Sequence, residues 1–116
     1  MNDEQRLALI VELIDLTSDD LATTDRPGFD GDKRLIDATA HRIMHIGENA
    51  MRLSANLRER HPDLPWRELA GMRNYIAHEY QKTSVPMLWQ AVNHELDELR
   101  AMCATELAEN ADGQGE

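Results

Sequence analysis

Leu7, Ile10, Ile14 and Leu21 recur at the three- and four-residue steps of one helical face, and Val11 and Leu13 widen the stripe. Asn2, with Gln5 three residues on, has the form of a capping box ahead of it. The stretch "TTDRPGFDGD" breaks the pattern with Pro27, Gly28 and Gly31, and Asp32 stands where an N-cap is needed. Ile36, Ala40, Ile43, Gly47, Ala50, Ser54 and Leu57 then step by four and three along one narrow seam. They predict a second helix that runs to "HPDLPW", where Pro62 and Pro65 cannot continue it. Gly47, Ala50 and Ser54 make the end of that seam small. A glycine in mid-helix costs about 1 kcal/mol relative to alanine, which implies that another backbone comes close there. A third helix is expected from Asp63 or Leu64 through Trp66 and Leu69 to about Tyr80, with Pro65 in its first turn. Thr83 or Ser84 caps a fourth, with the stripe Leu88, Trp89, Val92, Leu96, Leu99 and Cys103. No period-two pattern occurs. The expected fold class is all-α, an up-and-down bundle of four main helices over residues 1–109, with "NADGQGE" (110–116) as a disordered tail.

Composition agrees with helices. Aromatic residues make up only 4% of the 116, so the core must be built from Leu, Ile, Val, Met and Ala. A single cysteine, Cys103, excludes an intrachain disulfide, and no apolar run approaches the roughly 20 residues of a membrane span. With an acidic N-terminus unlike a signal peptide, the expected location is the cytoplasm. The formal net charge of −10 argues against an extended nucleic-acid footprint. Its distribution changes the picture. Residues 1–32 hold nine acids and two bases and residues 74–116 hold eight acids and two bases, but residues 33–73 hold eight bases against five acids. That relatively basic strip leads into "GMRNYIAHEY" (71–80), where a local contact with RNA is conceivable.

On a helical wheel at about 100° per residue, with Arg73 at zero, Tyr80 lies at about −20°, within the arc of Leu69, Met72, Ile76, Ala70 and Ala77. Asn74 and His78 fall at about +100° and +140°. An arginine on an apolar face is costly unless it is paired or borders a cleft. An ideal helix sets Arg73 and His78 too far round from each other to meet. Either the helix ends or kinks before His78, or two copies bring their clefts together. The small seam of the second helix would permit such a dimer or serve an internal contact. A single polar residue of this kind is structural about three times in four; four within eight residues favour chemistry. Histidine exchanges protons near neutrality, and arginine fits the oxygens of a phosphate. Together they suffice, with no metal or cofactor, for cleavage of an RNA phosphodiester by its own 2′-hydroxyl. His78 would handle a proton, Arg73 would stabilise phosphoryl charge, Asn74 would orient either, and Tyr80 could stack a base.

"RNYIAHEY" has the pattern Arg, four residues, His, one residue, Tyr, and resembles the HepT-like group of the HEPN superfamily. "IGENA" (46–50), "PDLPW" (62–66) and "GMRN" (71–74) share that likeness, which covers roughly residues 5–105. Where the family often has alanine, this chain has Asn49. The resemblance implies an all-helical homodimer with the Arg and His of both copies lining a shared cleft. It implies a type VII toxin that is a metal-independent endoribonuclease acting on tRNA or mRNA. It also implies a cognate MntA-type minimal nucleotidyltransferase antitoxin, which transfers AMP to the motif tyrosine. By position, Arg73 and His78 would be catalytic, Asn74 would assist and Tyr80 would be modified. The added phosphate would sit about 20° round the helix from Arg73 and could take the place of RNA phosphate.

Other groups weigh less. His41 and His45 have the spacing of helical metal ligands but no third ligand in sequence, so no metal site is expected. Glu48, beside the seam, is a possible partner for Arg73. Trp66 and Trp89 read as core anchors and Cys103 as an inert thiol. The competing function is a non-catalytic helical module that binds a nucleotidyltransferase. The strong negative charge is its best support.

Overall fold

The structure, a computed structural model, describes residues 1–80 and 84–114, with side chains as far as residue 111. It is all-helical among the described residues: α1 (Asp3–Leu21), α2 (Arg26–Asp30), α3 (Lys33–Met51), α4 (Ala55–Glu59), α5 (Trp66–Glu79), α6 (Val85–Asn93) and α7 (Glu95–Gln114). The local start signals act as expected. Asn2 and Gln5 form the reciprocal capping box of α1, Asp32 caps α3 through the Leu35 N–H, and Ser84 caps α6 through that of Met87. The alternative cap, Thr83, lies outside the described residues. α7 continues to Gln114, into the stretch read as a tail.

Two of the four expected helices are divided. The second stops at Met51 because the Ser54 N–H, instead of continuing the ladder, donates to Asp3 Oδ1 at 2.9 Å, while its hydroxyl donates to Asp3 Oδ2. The same hydroxyl accepts from Leu57 N–H and so begins α4. The fourth is divided at His94, whose backbone leaves the helical region (φ −140°, ψ −75°). The Asn93 amide donates to the Trp89 carbonyl at 2.7 Å, the acceptor an unbroken ladder reserves for a backbone N–H, and competes with it. Glu95, Asp97 and Glu98 then favour a fresh N-terminus. In the stretch read only as a break, Asp25 caps the one-turn α2, which buries Phe29 against Trp89 with ring centroids 5.2 Å apart.

The core runs between α1, α3, α5, α6 and α7 and is aliphatic: Leu7, Ile10, Ile14, Ile43, Ile46, Leu69, Ile76, Leu88, Leu96 and Leu99 are all buried. α3 packs most extensively on α5, and α1 lies against both α3 and α7. Trp66 and Trp89 are half-buried at the core's margin, and the Trp66 indole donates to the His61 carbonyl. Cys103 is buried, and burial first, then the charge of Glu106, pushes its thiol up to about 12. No helix among the described residues is long and apolar enough to cross a membrane.

One buried carboxylate ties the end of α4 to α7. Glu106 accepts two bonds from Arg60 Nη2, at 3.0 and 3.1 Å, and lies 2.6 Å from His61 Nε2. Burial pushes its carboxyl up, but the hydrogen bonds from His61 and Arg60 more than reverse that and hold it below the usual glutamate value. A folded value below the unfolded one stabilises the protein above the unfolded pKa of about 4.3, and that stabilisation is lost as pH falls through the folded value. Glu106→Gln is expected to cost about 1–3 kcal/mol at pH 7. In urea titrations, the difference from wild type should close as the pH is taken below about 4.

Candidate active site

α5 carries Arg73, Asn74 and His78, and Tyr80 follows as its C-cap. Its depth against α3 is set at Gly47. A Cβ built there would stand 2.8 Å from Arg73 Cβ and 3.2 Å from the Leu69 carbonyl oxygen. The close approach that Gly47 implied is therefore internal, and it delivers Arg73. Overpacking of this kind costs about 1–3 kcal/mol. Gly47→Val, adding β-branching, is expected to destabilise the fold by about 2–3 kcal/mol and to displace Arg73. Urea unfolding gives the first effect, and amide chemical shifts along α5 report the second.

Arg73 is half-buried. Its Nη1 donates to Asn74 Oδ1 at 3.1 Å, its Nη2 lies 3.9 Å from Glu48 Oε2, and its buried Nε has no protein partner. Glu48 leans instead toward Arg52, with Arg52 Nη2 3.1 Å from Oε1. The expected pairing of Glu48 with Arg73 thus exists, but the carboxylate is shared, leaving the Arg73 guanidinium only partly neutralised.

The wheel gave α5 too wide a buried arc. Leu69, Met72 and Ile76 are buried, while Arg73 lies at the edge and Ala77, Asn74, His78 and Tyr80 are exposed. The reason is positional: α3 covers one side of α5 and leaves the side from Ala77 round to His78 uncovered. α5 stays helical through Glu79, so no break before His78 turns it toward Arg73. Within one chain the two remain about 140° apart.

Tyr80 is tied to α3. Its hydroxyl donates to Asp37 Oδ1, and Lys33 Nζ lies 3.4 Å from the same oxygen. The hydrogen bond to Asp37 pushes the phenol up, and that same bond is the main reason Asp37 sits below the usual carboxylate range. Tyr80 separates two clefts. One, of about 560 Å³, has Lys33, Asp37, Val85 and Leu88 in its walls; the other, of about 420 Å³, has His41, Met44, Ile76 and Ala77. Seven residues place Arg73 and Tyr80 about 10 Å apart along the axis, and the hydroxyl turns to Asp37. The 20° of the wheel therefore understated their separation.

Asp37 went unnoticed in the sequence because only the α3–α5 register brings it to Tyr80. His41 and His45 are exposed with rings 6.5 Å apart, and no group of three potential metal ligands occurs among the described residues.

Residues 5–105 match the family described as ribonuclease HepT-like. "Probable ribonuclease HepT" of Thermococcus cleftensis is 30% identical over 94 residues, covering 81% of this chain and 83% of that one. "Putative RNase MJ0125" of Methanocaldococcus jannaschii is 28% identical over 94 residues, covering 81% and 78%. "Putative RNase TTE0752" of Caldanaerobacter subterraneus is 39% identical over 54 residues, a stretch spanning 47% of this chain and 48% of the relative. No solved structure matches the chain.

Proposed function

Because the chain belongs to the ribonuclease HepT-like family, we propose that it is the toxin of a toxin–antitoxin pair, a metal-independent endoribonuclease neutralised by AMPylation of Tyr80. The observation that carries the reading is the state of Arg73. Its guanidinium is half-buried and only weakly paired, a condition an RNA phosphate at its terminal nitrogens would relieve. His78, exposed on the same helix, is free to take the proton of a 2′-hydroxyl or to return one to the leaving 5′-oxygen. The 2′-oxygen attacks phosphorus, the bond to the 5′-oxygen breaks, and a 2′,3′-cyclic phosphate remains. Arg73 holds the charge that grows on the phosphoryl oxygens, and Asn74, already bonded to Arg73, keeps the guanidinium in place.

The separation of Arg73 and His78 on one helix is met by a homodimer. The exposed side of α5 is low, with Gly71, Asn74 and Ala77 on it. A second α5 laid against it would set Arg73 of one copy near His78 of the other. The antitoxin in this reading is a minimal nucleotidyltransferase that uses ATP, and Tyr80, exposed at the end of α5, is accessible to it.

The test is cleavage of total tRNA and of a short model RNA in EDTA, with chain shown by intact mass to be unmodified. Products ending in 2′,3′-cyclic phosphate support the reading. The second reading, a non-catalytic module for a nucleotidyltransferase, is favoured by the unbroken α5 that keeps Arg73 from His78. Folded, dimeric, unmodified protein that cleaves neither RNA would establish it over the first.

A further inference from the structure

On the far side of Glu48 from Arg73, α1 and α3 enclose a cleft of about 380 Å³ whose walls include Arg6, His45, Glu48, Asn49 and Arg52. Asn49, in the last turn of α3, is a buried polar side chain. Its amide nitrogen donates to the His45 carbonyl at 2.9 Å, which fixes the amide's orientation and turns Oδ1 toward α1. Oδ1 there accepts from Arg6 Nη1 at 3.1 Å. This is the arginine's one side-chain hydrogen bond, and no carboxylate pairs with it among the described residues. Arg34, Arg58 and Arg67 also have no acid partner among the described residues, but none of those three lines this cleft, and Arg6 is the one held by a buried amide. Arg42 and Arg100, by contrast, are each paired with an aspartate on α1. Around Glu48 of α3 thus gather Arg73 from α5, Arg52 at the end of α3 and, across the cleft, Arg6 from α1. These three cations face one carboxylate already shared between two of them.

From this geometry we infer that the cleft between α1 and α3 is a second phosphate subsite for single-stranded RNA, with Arg6 as its receptor and Asn49 as the residue that positions it. The inference rests on the proposed ribonuclease reading for the identity of the polyanion. Arg73 takes the phosphate that reacts. Arg6 takes a neighbouring phosphate of the same strand on the other side of Glu48, using the donors Asn49 leaves open. Glu48 between them draws Arg52 and Arg73 toward itself and excludes a phosphate from the place its own carboxylate fills. This local arrangement lets an acidic protein hold a polyanion, with affinity concentrated in a few fixed contacts.

The experiment measures binding of a short 2′-O-methyl RNA, which has no free 2′-hydroxyl to react, by fluorescence anisotropy across a series of salt concentrations. Wild type is compared with Arg6→Ala, Asn49→Ala and Arg100→Ala, all shown to be folded by circular dichroism and thermal melting. Arg6→Ala is expected to raise Kd about tenfold at low salt and to flatten the slope of log Kd against log salt by about 0.7, the value of one phosphate contact on a single strand. Asn49→Ala removes no charge and is expected to raise Kd several-fold, whereas Arg100→Ala, which removes a cation elsewhere, should match wild type. In cleavage assays Arg6→Ala should raise KM and leave kcat. Asn49→Ala binding as wild type, or Arg100→Ala weakening binding as much as Arg6→Ala, would overturn the subsite. Wild type that binds the 2′-O-methyl RNA but cleaves no unmodified RNA in the separate cleavage assay leaves the subsite standing and overturns the ribonuclease reading. Wild type that binds no RNA overturns both.

Discussion

His78→Ala is expected to lower the rate of RNA cleavage by about 10²–10⁴-fold, the usual contribution of a positioned general acid or base. Arg73→Ala should lose about 10²–10³-fold through the charge it no longer offers the phosphoryl oxygens. Neither loss should come from unfolding. His78 is exposed, and removing Arg73 leaves Glu48 with its closer partner, Arg52. Arg73→Lys separates charge from geometry. It keeps the cation but gives up the planar fork, so an intermediate rate is expected. If the reacting pair comes from two copies, mixing the two alanine variants should restore part of the activity. A heterodimer would then have one intact pair. Single-turnover cleavage of a labelled RNA in EDTA measures all of this. Full activity in His78→Ala would remove the histidine from the mechanism.

Attaching AMP to Tyr80 is expected to have a comparable effect, taking cleavage below one-hundredth of the unmodified rate. The modification replaces a donating hydroxyl with a phosphodiester carrying negative charge. The Asp37 carboxylate that now accepts from Tyr80 would face that charge across the same short gap. The contact must break and the side chain must leave α3. The nearby exposed side of α5 holds His78, and a bulky nucleotide released onto it would obstruct both the RNA and the approach of a second α5. Tyr80→Phe offers no nucleophile. It should keep its cleavage activity and stay active after incubation with a nucleotidyltransferase and ATP that silence the wild type. Intact mass and cleavage assayed on the same samples test the effect. Undiminished cleavage by fully adenylylated protein would exclude control at this tyrosine.

The sequence was most informative where structure depends on neighbours along the chain. The capping box of Asn2 and Gln5, the Asp32 cap and the buried stripe of α1 all follow from residues within a turn or two. Gly47 was also legible, because a glycine in a regular helix needs a reason, and the reason proved to be Arg73. Ser54 was not. It looked like one more small residue on a seam, and only Asp3, 51 positions earlier, makes it the end of one helix and the cap of another. Phe29 was hidden by the proline and glycines around it, which read as a loop although they support one helical turn. Asp37 with Tyr80, Asn49 with Arg6 and Glu106 with Arg60 share a cause: each pair depends on the register of two packed helices. Local periodicity says which face is buried, but not which residues end up opposite each other.

The buried thiol has a practical consequence. With burial pushing Cys103 up to about 12, its thiolate is scarce at neutral pH, and the same burial hinders reagents from reaching it. Both effects slow the reaction of Cys103 with maleimides and nitroxide labels. One cysteine introduced on an exposed part of α1 or α7 is expected to label well ahead of Cys103. Distances between two such labels would then report how a pair of chains is arranged, and whether a nucleotide on Tyr80 drives them apart.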